Sequence, residues 1–201
     1  MLATYHEIFC LCYDIRKAGE SMSKKIESFL LQPMESGHAE HMLQLEVKNR
    51  EFFQTITPLR NPEFYTLEGQ QERLNMIKRM RELRQQYTFG IFSKETGDLI
   101  GDASLFKIER EPVQSCMLGY CLDQTYNGRG YMSSIVQKMV SYAFDELKLH
   151  RIEAGVMPQN KGSIRVLEKA GFHKEGIAVK SVRINGKWED HQMMAIINKD
   201  I

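Results

Sequence analysis

The spacing of apolar positions changes several times along the chain, and each change marks a predicted element. A short apolar strand at Phe29 to Leu31 is followed by Ser36, whose hydroxyl is suited to cap a helix carrying Met42, Leu45, Asn49 and Phe52 on one face. Beyond Pro58 and Pro62, Thr66 opens a second helix with the apolar stripe Leu74, Ile77, Met80, Leu83 and Tyr87. Arg73, Lys78, Arg79, Arg81 and Arg84 occupy its other sides and read as a solvated basic face. The period then shortens. YTFGIF, a turn at residues 95–98, LIGDASLFKI and, after Pro112, the run CMLGYCL from Cys116 to Leu122 read as three successive strands, the first two a hairpin.

A third helix starts near Tyr131 and buries Met132, Ile135, Val136, Met139, Val140, Ala143 and Leu147, leaving Ser134, Gln137, Lys138, Ser141 and Asp145 outside. His150 to Met157 is a further strand, ended by Pro158. A short helix from about Lys161 to Ala170 stops at Gly171, a residue suited to close a helix. Two last strands flank Asn185-Gly186, the strongest hairpin signal in the chain. The order is strand, two helices, three strands, helix, strand, helix, hairpin, which describes a mixed α/β (α+β) domain over residues 27–201. Residues 1–21 keep no sustained period and end before Met22, a plausible natural start. Residues 1–26 are therefore expected to be an extension outside the fold. The competing reading is a docked helix or strand around Ile8 to Ile15.

With 201 residues, 42% of them hydrophobic, the chain can bury one sizeable core. Lysine and arginine number 27 against 26 acidic residues, so the whole chain carries no electrostatic footprint for nucleic acid or an anionic membrane. No apolar run approaches the roughly 18 residues of a membrane span. Cys10, Cys12, Cys116 and Cys121 have neither C-x-x-C spacing nor paired histidines, so no metal site or disulfide framework is expected. The expected compartment is the reducing cytoplasm. Nothing in the sequence decides between a monomer and a homodimer.

Chemistry enters at the loop DQTYNGRGYM, between the strand ending at Leu122 and the helix starting near Tyr131. Free amides at a helix start bind anions, and Gly128 and Gly130 allow close approach to the backbone, with Arg129 adding a charge. The same glycines would also serve a plain turn that needs positive φ. A P-loop would require Gly-Lys-Ser/Thr, and a dinucleotide fingerprint a third glycine where Ser133 stands; neither fits.

The run Asn127-Gly128-Arg129-Gly130-Tyr131-Met132 resembles the acyl-CoA loop of the GNAT superfamily, written Gln/Arg-x-x-Gly-x-Gly/Ala. Gly130 matches; Asn127 and Met132 depart, and the departure resembles the Rim-type ribosomal-protein N-terminal (alanine) acetyltransferases, which often read G-K-G-Y-M here. The similarity continues through His150 to Ala154, Pro158 to Phe172 and the segment Gly186-Lys187-Trp188-x-Asp190-His191, about half the chain in register. It implies a mixed, mostly antiparallel sheet, helices on both faces, splayed between the strands at 116–122 and 151–157 to hold acetyl-CoA. It further implies transfer of acetyl to an amine, with a ribosomal protein N-terminus as the first candidate acceptor. A polyamine or aminoglycoside acceptor, or a non-catalytic acyl-CoA sensor, are the alternatives.

What the resemblance implies for individual residues follows the same register. Backbone at Cys121 and Leu122 would hold the pantetheine arm, and amides from Gly128 through Arg129, Gly130, Tyr131 and Met132 to Ser133 would take the pyrophosphate. Asn160 would bond coenzyme A or cap the following helix, two roles that can coexist, and Ser163 is the candidate donor to the departing thiolate. No residue stands out as general base. Glu46, Glu51, Glu153, Asp190 and His191 all remain open, and Trp188 reads as a cap on the core. Cys121 as a nucleophile lacks a partner to activate it.

Overall fold

The computed structural model describes residues 28–200, so the expected extension at 1–26 lies outside the described residues. The strands are β1 (Phe29–Pro33), β2 (Tyr87–Ser93), β3 (Leu99–Glu109), β4 (Ser115–Leu122), β5 (Arg151–Val156), β6 (His173–Ile184) and β7 (Lys187–Ile197). The helices are α1 (Ala39–Lys48), α2 (Arg50–Gln54), α3 (Leu67–Glu82), α4 (Tyr131–Ser141) and α5 (Lys161–Lys169). One sheet runs β1-β2-β3-β4-β5-β7-β6, and every neighbouring pair is antiparallel except β4 and β5.

Alternation along the central strands sends one set of side chains to each face. Leu118, Leu122, Ile152, Ala154, Val156 and Met194 pack with Ile135, Val136 and Met139 of α4 and with Ile164 and Leu167 of α5. On the opposite face Met42 and Leu45 of α1 and Leu74 and Ile77 of α3 form a second cluster with Phe92, Leu99 and, at its margin, Cys121. The expected mixed sheet with helices on both faces is what the chain builds.

Several local expectations are corrected. Ser36 does not cap α1, because the chain first makes a short 3-10 turn at Ser36–His38 and the α-helix begins at Ala39. Asn49 interrupts the helix and turns its side chain to Leu45 O and to the amide of Gln124, so Phe53 becomes the buried aromatic of α2 in place of Phe52. Thr66 does cap α3, its hydroxyl accepting from Gly69 N–H at 3.0 Å. That helix ends at Glu82, leaving Leu83 exposed and Tyr87 in β2. Ser134 is buried, not outside, and Trp188 is 60% exposed and caps nothing.

The basic face of α3 is not uniformly solvated. Arg73 leaves it to bond Glu46 of α1 at 2.7 Å and Asp102 of β3 at 3.3 Å. Burial pushes the Glu46 carboxyl above its usual range, with Arg73 opposing that shift. One guanidinium thus bridges carboxylates from two other elements inside the fold. Arg73→Met should lower the unfolding free energy in urea titrations by about 3–5 kcal/mol, the loss typical of a buried pair stripped of one partner. A loss under about 1 kcal/mol, the level of an exposed pair, would mean that both carboxylates reach solvent.

Candidate active site

β4 and β5 pair in register only at Ser115↔Arg151, Cys116↔Ile152 and Met117↔Glu153. Beyond those pairs both strands continue but separate, each still held on its outer side, β4 by β3 and β5 by β7. The cleft between them is lined by Leu118, Gly119 and Tyr120 on one wall and by Ala154, Gly155, Val156 and Met157 on the other. Asn160, Ser163, Ile56 and His191 complete it. Its volume of about 140 Å³ suits a thioester end and an attacking amine, not a nucleotide. Backbone groups on the facing strand edges have no partner strand there, so an extended arm could pair with them.

The helix that follows each parting strand starts at the open end of the cleft. Gly128 and Gly130 have φ of 76° and 82°, the left-handed region that favours glycine, and Gly130 is the N-cap of α4. A Cβ on Gly128 would meet nothing within 4 Å, so its backbone angle, not crowding, requires glycine. The first-turn amides of α4 have no intrahelical acceptor and sit at its positive end. The Arg129 guanidinium lies 5.2 Å over the Tyr126 ring, beside this turn. Tyr131 packs between Phe29 and Tyr126 and Met132 is buried, so these two can offer a ligand only their backbone. Gly128 to Ser133 thus form the turn and first helical residues at the start of α4.

On the β5 side, Asn160 Oδ1 accepts from Ser163 N–H at 3.1 Å and caps α5. With its oxygen engaged, Asn160 presents its amide donors to anything else that approaches. Ser163 Oγ lies 2.7 Å from the Tyr120 hydroxyl, which also reaches Ser163 O at 3.3 Å. Burial pushes the Tyr120 phenol up to about 12, with the Ser163 bond opposing the shift, so it stays protonated near neutral pH. Tyr120 is the residue the sequence reading missed. Its position in an apolar-looking strand hid it, and only the alternation Leu118, Tyr120, Leu122 could have placed it on the face that α5 covers.

Leu118, Gly119 and Tyr120 form the β4 wall, whereas Cys121 turns to the α1 and α3 face near Asp102 and Glu46. Burial and those two carboxylates raise the Cys121 thiol well above its usual value, which disfavours a thiolate nucleophile. Among the open candidates for a base, Glu46 is engaged by Arg73 and Glu153 by Arg151 Nε at 2.8 Å. Asp190 accepts from Lys180 N–H at 2.7 Å, and Glu51 is exposed. His191 alone of the five lines the cleft.

The residues present fit an extended acyl carrier. Glycine-led amides stand at the head of one strand, a capped asparagine and a hydroxyl pair at the head of the next, with open strand edges between. A sheet split in this way defines an acyl-CoA-dependent transferase. Residues 28–173 match the acetyltransferase (GNAT) domain, and the chain belongs to that family. It is 51% identical over 176 residues to a probable N-acetyltransferase, YjcK, of Bacillus subtilis (strain 168), covering 88% of this chain and 97% of that one. It is 33% identical to the [ribosomal protein uS5]-alanine N-acetyltransferase of Escherichia coli (strain K12), over 76% of this chain and 79% of the relative. A solved ribosomal-protein-S5-alanine acetyltransferase from Vibrio fischeri superposes with a TM-score of 0.83 at 33% identity, covering 86% of this chain and 94% of that one. The protein is an N-acetyltransferase that uses acetyl-CoA, and no cluster of metal-ligating side chains occurs among the described residues.

The Tyr120 environment has a pH consequence. In the folded protein the phenol holds its proton until about pH 12, while unfolded tyrosine releases it near pH 10. Between those values the unfolded chain binds fewer protons, so stability falls as pH rises. Tyr120→Phe should flatten that alkaline fall by about 2–3 kcal/mol in denaturant titrations at pH 9 and pH 12. Equal slopes in the two proteins would show that the phenol ionises freely in the fold.

Proposed function

We propose that the acceptor is the α-amine of a protein N-terminus, with a ribosomal protein as the first candidate. The observation that carries this reading is the character of the cleft, none of whose lining residues is a carboxylate. A polyamine is a polycation and would need unpaired acidic groups to replace its lost hydration. Glu46 and Asp102, acidic groups on the α1 face, are held by Arg73. A single α-amine on an uncharged peptide backbone places no such demand. Two relatives at 33% identity are named as ribosomal-protein alanine acetyltransferases and support the same class.

The acceptor would enter beside the loop at 55–61, which reaches the cleft through Ile56 and leans on the β6–β7 turn. These two segments meet where Asn185 N–H donates to Thr57 O at 3.3 Å and Leu59 packs on Gly186. Exposed Leu59 and Trp188 give this region an apolar character suited to peptide side chains. Such acceptors and the machinery that makes them belong to the cytoplasm, in keeping with the free thiols of Cys116 and Cys121.

When bound, acetyl-CoA supplies an activated acyl group. The first-turn amides of α4 hold its pyrophosphate, and the β4 edge with Asn160 positions the arm. Ser163 hydrogen-bonds the sulfur as charge develops there. A serine hydroxyl is a weak acid, so its contribution is a directed hydrogen bond, and Tyr120 fixes its direction. Thiol release with acetyl-CoA and a panel of N-terminal peptides and spermidine tests the acceptor class. Release with peptides is expected, and faster turnover of spermidine would reject the reading. Ser163→Ala should lower kcat roughly 10- to 100-fold while coenzyme A affinity, measured by calorimetry, changes less than about threefold. Equal losses in both would remove Ser163 from the chemical step.

A further inference from the structure

We infer that His191 accepts the proton of the attacking amine, from the sheet face opposite Ser163; this rests on the proposed reading of the cleft as an acetyl-transfer site. The strand register separates the two residues. On β5, Ile152, Ala154 and Val156 point into the α4 and α5 core, so Gly155 opens to the other face. The His191 ring lies against that glycine: a Cβ built on Gly155 would sit 3.6 Å from His191 Cδ2. On β7, Met194 is in the α4 and α5 core, so His191 and Met193 share the opposite face, with Ile56 also lining the cleft. Tyr120 and Ser163 reach the same cleft from the α5 side. Ile56, from the loop beside which the acceptor is proposed to enter, lines the cleft and packs on the α1 and α3 cluster, the face that His191 takes.

The ring's contacts bear on its tautomer. Nδ1 lies 3.3 Å from Glu189 O and 3.4 Å from Ser181 Oγ. A carbonyl oxygen only accepts, so the Glu189 contact favours the neutral ring with its hydrogen on Nδ1 and Nε2 as acceptor, whereas a proton donated by Ser181 Oγ would favour the other tautomer. Nε2 is the nitrogen next to Cδ2, the atom beside Gly155 at the cleft wall. Gly155 has no side chain to cover it, and a Cβ there would come into ordinary van der Waals contact with the imidazole.

The step balances without another reactant. The amine lone pair forms the C–N bond to the acetyl carbon, the C–S bond breaks, and its electron pair leaves on sulfur. The proton shed by nitrogen passes to Nε2 and then to water, and sulfur takes up a proton from solvent by way of Ser163. Base and donor stand on different sides of the cleft, so the imidazole can take the proton from nitrogen of the tetrahedral intermediate while the hydroxyl serves the sulfur that departs from it. Ionisable neighbours from the packed elements are Glu189 and Asp190 on β7, Lys180 and Arg183 on β6, Glu153 with Arg151 on β5, Tyr120 on β4, and Arg60 in the 55–61 loop. Of these, Asp190 and Glu153 are already engaged, by Lys180 N–H and Arg151.

Two measurements test this on the full chain. With a peptide acceptor, His191→Gln should lower kcat roughly 100-fold, leave the KM for acetyl-CoA within about threefold, and lose the acidic limb of the wild-type pH–rate profile. A variant that keeps kcat within about threefold, or keeps the acidic limb, overturns the inference. Independently of turnover, long-range ¹⁵N spectra of histidine-labelled protein should show His191 with Nε2 unprotonated in the neutral ring. A neutral ring protonated at Nε2 overturns it as well. Wild-type protein that releases thiol with no amine would defeat the reading of the cleft instead, and the tautomer would still be decided.

Discussion

The active site depends on the early end of one strand pairing. β4 and β5 are the only parallel neighbours in the described sheet, and their ladder stops after three residue pairs. Parallel strands need a crossover, and here it is α4, which packs on the sheet through Ile135, Val136 and Met139. Once the strands part, each remains fixed by its antiparallel partner on the outside, so the gap has rigid walls and does not collapse. The same parting brings the starts of α4 and α5 to its mouth, where amides and side chains at helix ends have no intrahelical partners. Structure and chemistry therefore share one cause.

The cleft crosses the sheet, and the two faces contribute different chemistry. On the α5 side, a hydroxyl pair is anchored by an asparagine cap and held protonated by burial. On the α1 side stand an imidazole, an aliphatic side chain and a glycine. On that face Arg73 bridges Glu46 and Asp102, so both carboxylates are already engaged within the protein. No residue lining the cleft is a carboxylate, so its walls offer shape and hydrogen bonds, not negative charge.

Much of this was legible in the sequence, and what was not has physical reasons. Element order, the glycine turn and the Asn160 cap follow from local signals, namely period, breakers and capping spacing, whereas the splay between 116–122 and 151–157 was implied only by the resemblance to the GNAT superfamily. Tyr120 was missed because a tyrosine among apolar residues has the same signature whether it fills the core or aims its hydroxyl at a helix 43 residues away. Arg73 read as solvated because α3 carries cations on several sides, and nothing local shows which one meets carboxylates from α1 and β3. Trp188 read as core because tryptophan usually is, yet it lies at the start of a strand next to a turn, where the sheet has no covering helix. His191 stayed ambiguous among five candidates, since strand register alone decides which face each one takes.

Asn160 shows how a structural and a functional role come to reside in one residue. Its oxygen is committed to Ser163 N–H, which fixes the start of α5 and with it the backbone that carries the Ser163 hydroxyl. The remaining half of the same amide has only donors, which suits it to the carbonyl oxygens of an extended arm and not to a cation. A serine or threonine cap would hold the helix equally well but offer no second donor, and an aspartate would place a negative charge where the coenzyme already brings several. Among capping residues, asparagine is thus the choice that satisfies the helix and still leaves donors at the cleft, and the cap that orders α5 also orders the hydroxyl pair.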